Sequence, residues 1–140
     1  MELSEKQIKK YKGMSVPQLL KLATDHFNRY IRQRDSDGNI FRCISCGKIK
    51  PVAQMDAGHF MAASLYTAIR FDENNVHGQC VHCNRHMDGN LSTYRDNLVR
   101  KIGQEEVDRL MAVCRNTTKL DRGWLIEIIF RFKPNADDQP

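Results

Sequence analysis

The sequence predicts an α+β fold, mainly helical, built as one domain around a cross-linked core at residues 39–103. Three observations predict it. Four of the five cysteines fall in two C-x-x-C pairs, Cys43-Ile-Ser-Cys46 and Cys80-Val-His-Cys83. Two short strand-like segments lie between those pairs. Helical apolar spacing flanks them on both sides, in a basic N-terminal helix region (1–38) and in C-terminal helices with a tail (104–140).

A chain of 140 residues fits one domain of ordinary size with a modest core. Its apolar share of 41% and charged share of 28% are those of a globular protein, not a disordered one. The apolar runs are too short to span a bilayer, and Met1 to Lys10 are charged rather than signal-like. A soluble protein that stays in the cytoplasm, with no membrane partner, is therefore expected. In a reducing compartment, paired C-x-x-C elements favour metal over disulfides, and a small core gains from such a staple. The formal charge of +5 is a mild pointer to a polyanionic partner.

Taken in order, residues 1–14 are lysine-rich with little apolar periodicity and read as a solvated lead-in. Ser15 is a good N-cap, with Pro17 early in the helix and Gln18 three residues after the cap. The helix places Leu19, Leu20, Ala23, Phe27, Tyr30 and Ile31 on one side and ends near Arg34. Lys21, Arg29 and Arg32 lie on its other face. Asp35-Ser-Asp-Gly38-Asn39 is a turn by composition. Ile40-Phe41-Arg42 leads into Cys43. Residues 55–62 form an expected strand through His59, residues 63–74 a loop, and residues 75–79 a second strand leading to Cys80. His77 and His82 read as surface or knuckle decoration, and residues 84–90 as a polar turn. Helices are expected from 91 or 92 to Gly103, from 104 to 115 with Cys114 as an ordinary helix residue, and from 121 to about 130. Residues 135–140 are expected to be disordered.

Cys43, Cys46, Cys80 and Cys83 suit a closed tetrahedral zinc site, in which four thiolates leave no open position and the ion is structural. A redox disulfide pair and an iron–sulfur cluster are the alternatives. The gap between the pairs is longer than in a compact zinc ribbon, and the insert is polar. It holds His59, and asparagines flank the second pair. The chemistry that wants this set is phosphodiester hydrolysis. A neutral imidazole takes a proton from water, and a hard divalent cation on oxygen or imidazole ligands neutralises charge on the phosphate.

Cys43-Ile-Ser-Cys46-Gly47, Asp56-Ala-Gly-His59-Phe60, Phe71-Asp-Glu-Asn-Asn75-Val-His-Gly-Gln-Cys80 and Asn90…Tyr94…Leu98…Ile102-Gly103 closely resemble the NinG (Rap) family of lambdoid phages. The arrangement looks like the HNH, or ββα-metal, nucleases. The resemblance implies a treble-clef-like core in which a hairpin and a helix surround a catalytic cation, Mg2+ or Mn2+. It implies His59 as general base, Asn75 in the middle asparagine position, and Asn84 as a metal ligand. Many members carry an acid or a histidine just before the base, where this chain has Gly58. Asp56 is the nearest carboxylate and His86 an additional candidate ligand. Arg29, Arg32, Arg85 and Arg95 are the candidate DNA contacts. The family further implies branched DNA such as Holliday junctions or D-loops as substrate, 3′-hydroxyl and 5′-phosphate ends, and a phage- or prophage-encoded protein in a bacterial host. Two coordinated nicks suggest a homodimer. The rival reading is a non-catalytic zinc module that binds DNA or a protein.

Overall fold

Ser4 and Gln7 start the first helix. In the computed structural model, which describes residues 4–134, the Ser4 hydroxyl accepts from the Gln7 amide at 3.2 Å and the Gln7 side chain accepts from the Ser4 amide at 3.0 Å. This reciprocal capping box opens α1 (Glu5–Lys12). The expectation of a solvated lead-in is thereby corrected: the box is present in the sequence, and Tyr11 gives the helix one buried anchor. Ser15 and Gln18 repeat the device at 2.8 and 3.3 Å, and α2 (Val16–Asp35) follows.

The chain groups into two units, one drawn from Met1–Phe27 and Leu120–Pro140 and the other formed by Asn28–Lys119. The first joins α1, the start of α2 and α5 (Arg122–Phe132). Asp121 caps α5 by accepting from the Trp124 amide at 2.8 Å. The Phe27 and Phe132 rings meet edge to face at 4.9 Å, with Leu19, Ala23, Leu125 and Ile129 buried. Burial of Phe132 explains why α5 runs past the expected end near residue 130. Arg122 donates to the carbonyls of Tyr11 and Met14. The expected disorder at 135–140 lies outside the described residues.

The second unit contains two small antiparallel sheets. Strands β1 (Ser36–Asp37), β2 (Ile40–Arg42) and β3 (Ile49–Pro51) form one. Strands β4 (Met55–His59) and β5 (Val76–Cys80) form the other, with Met55 opposite Cys80 and His59 opposite Val76. A π-helical turn (His82–His86) follows, then α3 (Leu91–Ile102) and α4 (Gln104–Val113). The expected strand over residues 55–62 stops at His59 because Asn75 captures the next segment, as described below. Gly103 ends α3 at φ 92°, a conformation open to glycine. Ile44, Phe60, Ile69, Tyr94, Leu98, Val107, Leu110 and Cys114 make the core.

His77 is a correction to the sequence reading. It is 1% exposed, not a surface residue. Its Nε2 lies 2.9 Å from the Asn74 carbonyl, which can only accept, so Nε2 carries the proton. Nδ1 then accepts from Lys101 Nζ at 2.8 Å, with Arg34 Nη2 at 3.2 Å. Asp35 completes the cluster: its carboxylate accepts from the Gly78 amide at 2.7 Å and pairs with Lys101 at 3.0 Å and Arg34 at 2.9 Å. Burial, reinforced by the Lys101 charge, pushes the His77 pKa down to about 4. Burial alone would raise Asp35, but hydrogen bonds from Arg34 and Gly78 and the Lys101 charge hold it far below the usual carboxylate range.

An acid-sensitivity prediction follows from His77. Its folded pKa lies below the ordinary value of about 6.5, so the unfolded chain binds more protons between those two values. Stability is fully present above pH 6.5 and falls as pH drops toward 4, by about 3 kcal/mol for this group. Urea midpoints at saturating zinc should therefore fall less steeply from pH 7 to 4.5 in His77→Gln than in wild type. Parallel falls would contradict the assignment.

Candidate metal centre and adjoining cleft

The Sγ atoms of Cys43, Cys46, Cys80 and Cys83 all lie within 4.8 Å of one another, and those of Cys46 and Cys80 are 4.0 Å apart. Tetrahedral zinc with bonds of about 2.3 Å separates its sulfurs by roughly 3.8 Å, so the four can hold one zinc ion. The amides of Cys46 and Cys80 donate to Cys43 Sγ at 3.5 and 3.3 Å, and the Cys83 amide donates to Cys80 Sγ at 3.4 Å. Asn90 Nδ2 donates to Cys83 Sγ at 3.5 Å. Burial pushes the Cys83 thiol up to about 12 and raises Cys80. Thiolates in this setting need a cation to neutralise them.

Backbone and amide bonds bring the distant knuckles together. The Ile44 amide donates to the Gly78 carbonyl at 3.0 Å, tying the first knuckle to β5. Gln79 Nε2 donates to Ser45 Oγ at 2.8 Å and also to the Gly89 carbonyl. From α3, Asn97 Nδ2 donates to the Ile44 carbonyl at 2.8 Å.

Beside this cluster is a cleft of about 290 Å³, lined by Ala57, His59, Phe60, Asn84, Asp88 and Leu91 among others. His59 Nε2 is 2.9 Å from the Arg70 carbonyl. That carbonyl only accepts, so Nε2 is the protonated nitrogen and Nδ1 keeps a basic lone pair. Burial, with the Arg70 charge adding to it, lowers the His59 pKa below the ordinary histidine value despite the carbonyl bond. The ring is therefore neutral near pH 7.

Asn75 is fully buried and its side chain serves the loop that follows His59. Oδ1 accepts from the Met61 amide at 2.9 Å, while Nδ2 donates to the carbonyls of Met61 at 3.0 Å and Ile69 at 3.2 Å. Its own carbonyl accepts from the Phe60 amide at 2.8 Å. Asn75 thus touches the backbone on the C-terminal side of His59 rather than the cleft. Tyr94 holds the other side: its hydroxyl donates to the Gly58 carbonyl at 2.7 Å.

The remaining candidates separate. Asn84, in the His82–His86 turn, donates Nδ2 to Asp56 Oδ2 at 2.9 Å, so only its Oδ1 could serve a cation. Arg85 clamps the same Asp56 carboxylate with two bonds of 2.9 and 2.8 Å. His86 is exposed, does not line the cleft, and lies with its ring centroid 6.1 Å from that of His82. Arg32 and Arg95 are exposed and Arg29 half-buried. Asp88, in the cleft wall, and the Arg85–Asp56 clamp were not foreseen. Asp56 and Arg85 come from distant parts of the chain, and no local pattern links them.

Gly58 has a physical explanation. A Cβ built there would come within 2.0 Å of Gln79 Oε1 and 2.8 Å of Gln79 Cβ. Gln79 is fully buried and held through Nε2, so it cannot swing away. Gln79 thus fills the space that a side chain at position 58 would need.

Two outcomes are expected. Gly58→Ala should lose about 1–3 kcal/mol of stability in urea titration, as overpacked sites do, and Gln79→Ala in the same chain should restore part of it. An unchanged midpoint in Gly58→Ala would show the space to be free. The purified chain should hold one zinc, and its removal by chelator should abolish the circular-dichroism signature of ordered packing. A metal-free chain with native signal would remove the zinc assignment.

Comparison with known proteins places the chain. The family model described as NinG, Bacteriophage Lambda NinG protein, matches residues 1–138. Over 91 residues, 65% of this chain, it is 47% identical to "Protein ninG" of Escherichia phage 933W and 46% identical to that of Escherichia phage lambda. It is 45% identical over the same length to "Protein ninG" of Salmonella phage P22. The aligned stretch spans 43% of each of these relatives, less than half their length. No solved structure matches. No helix among the described residues is long and apolar enough to cross a membrane. With its four clustered cysteines inside the matched span, the chain belongs to the NinG family of lambdoid phages.

Proposed function

We propose that this chain is a metal-dependent endonuclease of the HNH, ββα-metal type, hydrolysing DNA phosphodiesters in branched recombination intermediates such as Holliday junctions or D-loops. One observation carries the reading: His59 is a neutral imidazole with Nε2–H tied to the Arg70 carbonyl, on the wall of a cleft shared with Asn84 and Asp88. That is the state in which a histidine accepts a proton from water through Nδ1. The succession of strand β4, strand β5 and the turn bearing Asn84 supports this reading.

The oxygen donors fit a hard cation. Asn84 Oδ1 and the Asp88 carboxylate would hold it, with Asp56 joining if Arg85 moves away. Magnesium or manganese bound there would neutralise charge on the phosphate and on the departing 3′-oxygen. His59 orients and deprotonates the attacking water, while Asn75 and Tyr94 fix the backbone on either side of it. The tetracysteine zinc serves the scaffold. The products would be 3′-hydroxyl and 5′-phosphate ends, and paired nicking would use a homodimer in the cytoplasm of the host cell.

A second reading has its own observation. Asp56, the carboxylate nearest the expected ligand position, is ion-paired with Arg85 and accepts a hydrogen bond from Asn84. A non-catalytic zinc module that binds DNA would tolerate that arrangement.

Cleavage of labelled four-way junctions and linear duplex with magnesium discriminates the two. His59→Ala should cut about 10²–10⁴-fold more slowly than wild type at equal DNA binding. For wild type, the rate should rise with pH as His59 loses its proton and level off with a midpoint below 6.5, the direction its burial dictates. Equal cutting by His59→Ala removes His59 as base. Binding without cutting by either protein favours the second reading.

A further inference from the structure

Another cavity of about 570 Å³ opens on the unit that carries the cysteines, lined by Asp35, Arg42, Cys43, Asn97, Arg100 and Lys101 among others. It shares no lining residue with the His59 cleft. Three cations from two elements converge on it, Arg42 from β2 and Arg100 and Lys101 from α3. Its one carboxylate, Asp35, is already neutralised by Arg34 and Lys101.

Arg42 and Arg100 differ from the arginines of this unit that are tied to carboxylates. Arg34, Arg85 and Arg109 are each paired with a carboxylate. Among the described residues, neither Arg42 nor Arg100 is in an ion pair. Each is nevertheless oriented by one hydrogen bond: Arg42 Nη1 donates to the Gly47 carbonyl at 2.7 Å and Arg100 Nη1 to Asn97 Oδ1 at 2.8 Å. The other N–H groups of both guanidiniums stay available. Two pre-oriented, un-neutralised guanidiniums on one cavity are what binds a phosphate group, because the planar fork matches its oxygens.

We propose that this cavity is a phosphate-binding subsite for the nucleic-acid backbone, separate from the point of cutting, with Arg42 and Arg100 as its contacts. The inference rests on the DNA reading above and names where a second stretch of the substrate is held. Gly78 of this cavity lies opposite Ala57 of the His59 cleft in the β4–β5 ladder, so both cavities are built on the same hairpin.

The test uses the full zinc-loaded chain without magnesium or manganese and a fluorescein-labelled four-way junction, read by anisotropy across a salt series. The Arg42→Gln/Arg100→Gln double variant should bind at least tenfold more weakly and lose about two units of the log–log salt slope. Its zinc content and melting temperature should stay at the wild-type values. Arg115→Gln/Lys119→Gln removes the same charge from exposed positions and should cost far less. Unchanged binding in the first variant overturns the proposal. So does an equal loss in the control, which would mean net charge alone, or a loss that appears only with zinc release, which would mean the arginines balance the thiolates. Failure of the nuclease reading looks different: wild type would bind the junction through these arginines yet never cut it in magnesium.

Discussion

Everything in the Asn28–Lys119 unit depends on closing Cys43 and Cys46 onto Cys80 and Cys83. The first pair follows β2 and the second begins at the end of β5, so their meeting joins the β1–β2–β3 sheet to the β4–β5 hairpin. A zinc ion in such a site contributes about 10–16 kcal/mol at neutral pH, as much as the net stability of a whole domain. The sheets are too small to supply that themselves, with strands of two to five residues. Hydrogen bonds through Gln79, Ser45 and Asn97 then carry the order of the knuckles into the hairpin and α3.

His59 inherits its geometry from that closure. It ends β4, its ring is held by the Arg70 carbonyl, and the backbone beside it is gripped by Asn75 and Tyr94. None of these hydrogen-bonding groups is charged, and the nearby Arg70 cation lowers the His59 pKa further. A histidine held by neutral groups and partly buried stays uncharged and basic near neutral pH, whereas a carboxylate partner would have raised its pKa. The Asp35–His77–Lys101 cluster in the same unit also keeps its histidine neutral first by burial, with the Lys101 and Arg34 charges adding to it. Two histidines thus share a protonation state for the same first reason, burial, and one of them lines a cleft.

Much of this was legible in the sequence because it is local or covalently spaced. The C-x-x-C pairs announce a common ion, Ser15 and Gln18 announce α2, and Gly103 announces the end of α3. Strands β1 and β3 were missed because segments of two and three residues carry no period. Helix α1 was missed although its capping box was present, since a lysine-rich helix with one buried residue shows no apolar stripe. His77 was misjudged for a different reason. Its partners Asp35 and Lys101 are far away in sequence, and neither signals that a histidine between two zinc knuckles will be buried. The meaning of Gly58 was likewise hidden until Gln79 was seen filling the space beside it.

The proposed chemistry needs His59 to be a neutral base with its proton on Nε2. Nitrogen-15 NMR of the zinc-loaded chain, labelled at histidine and followed from pH 8 to 5, measures this directly. The prediction is an Nε2–H tautomer at pH 7 with Nδ1 unprotonated, titrating below the ordinary histidine value of about 6.5. A His59 ring protonated at pH 7, or carrying its single proton on Nδ1, would contradict it.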